Sequence, residues 1–434
     1  MYRQTILLLT IVGCNHAATA ADLLDIYSMA ETSDPSFQEA RANFEATLET
    51  KPQARAQLLP QLNLSLHQES NTQDIKTTGP SSTVDFTSRG FNLDLRQPIF
   101  RAPAYLQYQQ SDSIINQAEA ELQAARQDLA IRVAEAYFDV LAAEDNLTFA
   151  RAEKRSLEQQ LEQAEQRFEV GLTAITDIQE ARAGYDRATA QVIEAENAVD
   201  NARETLREIT GEYVTNVARL SEEVPLVKPN PDDIDAWTSR SLEQNLAVIA
   251  AQHGLETADQ EIDIQKAEHL PTLDLVAGRN YESSGGFFGS RQIRTDAVGV
   301  ELNMPLFQGG AVTSRTREAR KQYDATLQRL HLRQRSAQSQ TRQSYLGVIS
   351  GISRIKALEQ AVVSSETALE ATNAGFDVGT RTAVDVVAAE RALSDARRNL
   401  ARARYDYIVD SLRLKQAAGI LGNQDLALVN RWLQ

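Results

Sequence analysis

Two different periods of apolar spacing run through this chain. Ile178, Ala181, Tyr185, Ala188, Val192, Ala195, Val199, Ala202, Leu206 and Ile209 follow one another at intervals of three and four residues. That is the seam of a helix packed along another helix. The spacing returns at Val386, Ala389, Leu393, Ala396, Leu400, Ala403, Tyr407, Asp410, Leu414 and Ala417, where Asp410 alone interrupts it. In both seams one position is mostly large and the other mostly alanine, which brings backbones close while the large side chains fill facing holes. Elsewhere the period is two. Leu62, Leu64 and Leu66, then Phe91, Leu93 and Leu95, alternate with polar neighbours, as do Leu273 and Leu275, then Val298, Val300 and Leu302. Four strands are predicted, each apolar on one face, with the polar stretches 68–85 and 278–296 as exposed loops.

These patterns occur twice. Phe168-Glu169-Val170-Gly171 and Phe376-Asp377-Val378-Gly379 lie 208 positions apart, and the offset holds without a gap to Gly211 and Gly419. Leu59-Pro60 returns as Leu270-Pro271, and Pro98-Ile99-Phe100 as Pro305-Leu306-Phe307. Each copy has a helical segment (22–59 and 233–269), a pair of strands, and a long helical hairpin that reverses at its Val-Gly. No glycine or proline falls between Pro103 and Gly171, room for a helix of roughly 100 Å at about 1.5 Å per residue. The predicted organisation is an export signal over 1–20, a first repeat over 21–211, a proline-rich linker over 212–232, a second repeat over 233–419 and a tail over 420–434. Linker and tail are expected to belt the helical body.

Composition narrows the function classes. With 44 basic and 60 acidic residues the net charge is -16, the wrong sign for a nucleic-acid partner. Arg3, the apolar stretch from Thr5 to Val12 and Ala18-Thr19-Ala20 read as a signal cut before Ala21; Ile11-Val12-Gly13-Cys14 also fits a lipobox with an acylated Cys14. No later run has the roughly 18 apolar residues of a membrane helix. An exported chain of this kind is soluble or enters a membrane as a barrel, and its alternating segments approach the roughly 9 to 11 residues of a membrane strand. Four strands fall short of the usual minimum of about eight for closure, so the barrel would be shared; three copies give twelve strands. The five histidines, His16, His67, His253, His269 and His331, lack metal-ligand spacing, and no nucleophile-base constellation appears. No catalytic residue, cofactor or metal is expected.

The chain resembles the TolC family of outer-membrane channel-tunnels over nearly its whole mature length. The resemblance is carried by Leu58-Leu59-Pro60-Gln61-Leu62, Ala136-Tyr137-Phe138-Asp139-Val140-Leu141, Arg167-Phe168-Glu169-Val170-Gly171-Leu172, His269-Leu270-Pro271-Thr272-Leu273-Asp274-Leu275, Val378-Gly379-Thr380-Arg381-Thr382 and Ala401-Arg402-Ala403-Arg404-Tyr405-Asp406-Tyr407. It implies a mainly α protein with membrane β: a homotrimer whose twelve-stranded barrel, in outer-membrane lipid, continues as a long α-helical coiled-coil tunnel across the periplasm. It also implies a periplasmic adaptor (membrane fusion) protein and an inner-membrane pump of resistance-nodulation-division or ABC type as partners. Multidrug efflux or type I secretion would be the task. The alternative is a periplasmic coiled-coil scaffold without channel activity, which has no use for four amphipathic strands.

By the same resemblance the Val-Gly turns form the lower entrance. Val170, Gly171, Leu172, Val378, Gly379 and Thr380 are the expected adaptor-docking tips. Thr176, Asp177, Arg381 and Asp385 match the family's gate, in which Arg381 would bridge toward Thr176 and Asp177. Two positions depart from it. Phe376 replaces a tyrosine that in close relatives hydrogen-bonds toward the aspartate matched by Asp177, and a phenyl ring has no donor. Ala388 replaces a second entrance aspartate, leaving Asp385 as the sole acidic ring. From spacing alone, Arg381 and Asp385 read first as a solvated i,i+4 pair in the less favourable order, worth about a few tenths of a kcal/mol, and it is the resemblance that turns the reading to a gate. Tyr137 and Phe138 read as helix packing.

Overall fold

A computed structural model describes residues 20–433 apart from Thr77, Pro80, Leu172, Glu222 and Glu223. The proposed cleavage signal, Cys14 and the tip residue Leu172 therefore lie outside the described residues. The elements run α1 (Leu23–Ser33), α2 (Pro35–Leu48), α3 (Thr50–Ala56), β1 (Gln61–Ile75), β2 (Ser82–Phe100), α4 (Ala102–Glu169) and α5 (Ile175–Thr210) in the first copy. The second runs α6 (Ile234–Gln244), α7 (Leu246–Ala267), β3 (Thr272–Ser284), β4 (Arg291–Asn303), α8 (Ala311–Asp377) and α9 (Ala383–Ala417), followed by α10 (Asn423–Asn430).

Proline shapes the first helical segment by starting helices as well as ending them. Pro35 opens α2, where a missing N–H costs nothing, and Asp34 before it accepts the Phe37 N–H at 2.7 Å as the cap. Asn245 plays the same part in the second copy, accepting from the Ala247 and Val248 N–H groups. Both predicted segments are accordingly divided.

The chain forms two compact units. One, Glu39–Ala124 with Leu242–Ala337, holds a single antiparallel sheet in the order β1-β2-β3-β4. Its register sets Leu62 against Leu95, Leu64 against Leu93, Leu66 against Phe91, Leu273 against Leu302 and Leu275 against Val300. Ala277 pairs with Leu95 and Tyr281 with Phe91 across β2 and β3. Because directly opposed residues share a face, one face is an apolar band, interrupted in the row of Leu64 and Leu93 by the ion pair of Arg279 and Asp296, and it is bare: Leu64 is 62% exposed and Val298 80%. Phe91 stacks on Tyr281 at one margin of the band, while Phe100 and Phe307 lie exposed near the other. The opposite face carries Asn63, Asp94, Arg96, Asp274 and Glu301. There the Asp274 carboxylate, 3% exposed, accepts from Arg96 at 2.7 Å and from Arg101 at 3.1 and 3.2 Å, and Arg96 also pairs with Glu301 at 3.0 Å.

The strands outrun the sequence expectation. Most of 68–85 and 278–296, expected as loops, is sheet. The first hairpin continues past the apolar band because polar side chains pair across it, Thr72 with Asp85 at 2.7 Å and Thr83 with Asp74 at 2.6 Å, and in the second Arg279 pairs with Asp296 in the row of Leu93. Only short connections remain at their ends.

The second unit comprises residues to Gln38, Ala125–Ser241 and Gln338 onward. Here the heptad seams close within one chain. Ile178 and Ala181 of α5 pack on Ala164 and Leu161 of α4, and Ala195, Leu206, Leu393, Ala403 and Leu414 are buried. Gly184 brings α5 against α9, where an added Cβ would lie 3.3 Å from Val387. Asp410, the break in the second seam, faces Gly347, whose missing side chain leaves room for the carboxylate. Tyr137 and Phe138 are fully buried. Phe138 stacks on Tyr405, whose hydroxyl donates to Asp145 at 2.6 Å.

Tyrosines also hold the linker. Tyr137 donates to the Ala218 carbonyl at 2.7 Å, the Tyr407 hydroxyl bonds both N–H and carbonyl of Val227, and Tyr345 donates to Asp232. Leu220 of the linker pairs with Leu433 of the tail as an isolated bridge. No described helix is long and apolar enough to cross a membrane.

Candidate functional site at the helical turns

Both hairpins turn on a glycine in the left-handed region, Gly171 at φ 75° and Gly379 at φ 76°. A β-carbon is costly there, which is why both copies carry glycine at that point. Gly171 donates to the Phe168 carbonyl at 2.9 Å and Gly379 to that of Phe376 at 3.1 Å. Beyond each turn the returning helix is capped. Thr382 and Asp385 form a reciprocal box: Asp385 accepts from the Thr382 N–H at 2.9 Å, and its own N–H donates to the Thr382 hydroxyl. In the first copy the cap position is Ala174. Asp177, the equivalent of Asp385, accepts from the Ala174 N–H at 3.3 Å and from the Thr173 hydroxyl.

The two carboxylates expected at a gate are thus repeat equivalents that also start their helices. The Thr382 N–H, then the Thr382 hydroxyl, hold the Asp385 carboxyl below the usual carboxylate range, with Arg381 adding to the effect. Arg381 pairs with Asp385 at 3.9 Å, both side chains well exposed. That geometry fits the weak i,i+4 pair. Among the described residues the carboxylate of Asp177 is held by its own hairpin, and Thr176 is exposed. Within one chain Arg381 therefore does not join Thr176 and Asp177. Ala388 is exposed.

Phe376 is the expected site residue with the richest surroundings. The Arg167 guanidinium carbon lies 4.6 Å from its ring centroid. Arg167 also donates to the Phe376 carbonyl at 3.3 Å and to Asp377 at 3.1 Å. This arginine joins the end of α4 to the end of α8, and sequence reasoning assigned it no role. Its only sequence signal is a broken equivalence: where the first copy has Arg167, the second has Gly375. The capping role of Asp385 was legible in Thr382-x-x-Asp385 and went unread.

Of the predicted tips, Val170 and Val378 are 69% and 75% exposed, and Gly171, Gly379 and Thr380 are exposed with them. Among the described residues no group of three or more His, Cys, Asp and Glu side chains gathers to hold a metal.

The sequence matches the profile of a family described as outer membrane efflux protein over residues 26–212 and 237–420, one stretch in each copy. It is 38% identical over 422 residues to the outer membrane protein TolC of Vibrio cholerae, covering 96% of this chain and 95% of that protein. It is 32% identical over 420 residues to the alkaline protease secretion protein AprF of Pseudomonas aeruginosa, covering 95% and 87%. Among solved structures the fold resembles that of the outer membrane protein VceC from Vibrio cholerae, with a TM-score of 0.76 at 20% identity, covering 92% of this chain and 96% of that one.

Proposed function

The chain belongs to the outer membrane efflux protein family, and we propose that it is a passive outer-membrane exit duct, for tripartite efflux, type I protein secretion or both, with its entrance at the two helical turns. The sheet carries this reading. A four-stranded antiparallel ribbon with a bare apolar face, a polar opposite face and two edge strands without partners among the described residues is unsuited to water. Lipid against the apolar face, and a neighbouring copy on each edge, satisfy both needs, and three copies close twelve strands. The resulting pore would be lined by the polar face that holds Asp274 and Arg96.

In this reading Val170, Gly171, Leu172, Val378, Gly379 and Thr380 meet a periplasmic adaptor, since exposed valines at a rigid glycine turn offer an apolar knob for a partner. The adaptor in turn engages an inner-membrane pump. Thr176, Asp177, Phe376, Arg381 and Asp385 narrow the entrance, with Arg381 reaching a neighbouring copy's turn.

The test is threefold. The protein should fractionate with the outer membrane, run as a heat-dissociable trimer in mild detergent, and conduct ions in planar bilayers. Deleting its gene should raise drug sensitivity or block secretion of a large protein. A non-conducting periplasmic protein would overturn the proposal and leave the scaffold reading.

A further inference from the structure

Under the 208-residue offset, Arg167 corresponds to Gly375 and Thr173 to Arg381. Over 167–177 and 375–385 each turn therefore has one arginine, placed where the other copy has a smaller residue. The structure shows the consequence. A β-carbon at Gly375 would fall 2.7 Å from Cγ of Arg381, so the Arg381 stem occupies the space a side chain at 375 would need. Arg381 lies along its own helix end, and the Gly375 carbonyl accepts the Thr380 N–H at 2.8 Å and the Arg381 N–H at 3.2 Å beside it. Arg167 does the opposite and leaves its hairpin. It covers the Phe376 ring, bonds the Phe376 carbonyl and pairs with Asp377.

We infer that Arg167 and Phe376 form the intrachain latch that holds the α8–α9 turn against the end of α4. Arg167 is a positioning residue for the closed entrance. This rests on the turns being the entrance. Three features of the contact suit a latch. The guanidinium lies over a ring and donates through two nitrogens to two oxygens at once, a combination its planar fork suits better than a compact ammonium does. The three groups it reads, ring, carbonyl and carboxylate, all belong to the last turn of α8, where the reversal begins. The side chain is 31% exposed, so releasing it leaves no unpaired charge in a dry interior and the latch can open. The phenyl ring is thus no longer a lost donor: without a hydroxyl it offers a plain π face to a cation.

The experiment uses full-length trimers in planar bilayers. Arg167→Ala and Phe376→Leu should each raise the ratio of open to closed time by at least about ten-fold, three latches each contributing on the order of two- to five-fold. The double variant should open no further than Arg167→Ala alone, because that change already removes every contact of the latch, the ring contact included. Phe376→Tyr and Phe376→Trp keep the ring face and should stay closed, while Arg167→Lys should recover only part of the closure. Heat dissociation of the trimers should be unchanged, which separates a latch from a general packing defect. If Arg167→Ala fails to assemble, the Phe376→Leu and Phe376→Tyr pair carries the same distinction. Parent-like gating of Arg167→Ala or Phe376→Leu, in a channel that Arg381→Ser does open, overturns the latch and leaves the entrance in place. Parent-like gating of all three overturns the entrance as well.

Discussion

The carboxylate of Asp34 receives both terminal nitrogens of Arg132, Nη1 on Oδ2 at 2.8 Å and Nη2 on Oδ1 at 2.9 Å. Asp34 is 2% exposed, so one buried group caps α2 and ties it to α4. Removing its charge leaves a guanidinium short of its partner, and Arg132 keeps only Asp128 at 3.1 Å. Asp34→Ala should destabilise the protein by about 3 kcal/mol, the lower end for breaking a buried pair. The Arg132 hydrogen bonds, first among the causes, hold the Asp34 carboxyl below its usual range. For a lowered carboxyl the stabilisation is complete above the unfolded value, near 4, and is lost as pH falls through the folded one. Thermal unfolding followed by circular dichroism should show the gap between parent and Asp34→Ala wide from pH 5 to 8 and narrowing below about pH 4. A gap that does not change with pH would mean the pair contributes through packing alone.

The hydrogen bond from Tyr405 to Asp145 gives the opposite sign. Burial pushes the Asp145 carboxyl up, and the Tyr405 hydroxyl is the group that keeps it from rising further. Tyr405→Phe should cost about 1.5 to 3 kcal/mol near neutral pH, the loss of a bond to a charged acceptor. It should also raise the folded carboxyl's affinity for a proton. Acidification then relieves the variant before the parent, and the difference in melting temperature should shrink as the pH is lowered from neutral toward the ordinary carboxylate range near 4. Growth of the difference on acidification would show that the carboxylate is not the acceptor that matters.

Much of this architecture was legible because it repeats. The heptads of α5 and α9, the glycine turns and the alternating leucines each appear twice at fixed offsets, and two copies of one pattern set aside readings that a single copy leaves open. Legibility failed where side chains act across sequence distance. Arg279 and Asp296, or Thr72 and Asp85, extend the sheet only because the register brings them together, so composition marked them as loop. The seams named no partner, and Ile178 and Ala181 find Leu161 and Ala164 on the preceding helix. Arg167 stayed invisible because its partners lie more than 200 residues away, and its one trace was the glycine in its place in the second copy.

Gly375 separates stability from gating. Gly375→Ala improves helix propensity in α8 by up to about 1 kcal/mol, and its β-carbon would sit 2.7 Å from Arg381 Cγ. The arginine stem must swing away. Unfolding should therefore occur at the same or a higher temperature, while single-channel conductance should rise, and Arg381→Ser, which removes the same guanidinium, should raise it too. The double variant should conduct like Arg381→Ser alone, since both changes act through one side chain. A Gly375→Ala channel with parent conductance would show that the position of Arg381 along its helix does not govern the entrance.

The cap that Asp385 makes for α9 and the entrance role proposed for it can be divided by substitution. Its carboxylate accepts the Thr382 N–H to start α9, and in a trimer three such carboxylates would face one narrow axis with Ala388, not a second acid, beside them. Asparagine retains an acceptor for the cap and removes the charge, whereas alanine removes both and should cost about 1 kcal/mol of local stability. Cation preference, read from the reversal potential across a salt gradient, should fall in Asp385→Asn and Asp385→Ala alike, together with any block by multivalent cations, because the field at a constriction follows the charge lining it. Only Asp385→Ala should also loosen the turn, seen as faster amide exchange at Ala383, Val384 and Asp385. Unchanged selectivity in Asp385→Asn, alongside loosened exchange in Asp385→Ala, would leave Asp385 as a helix cap and move the selecting charge elsewhere.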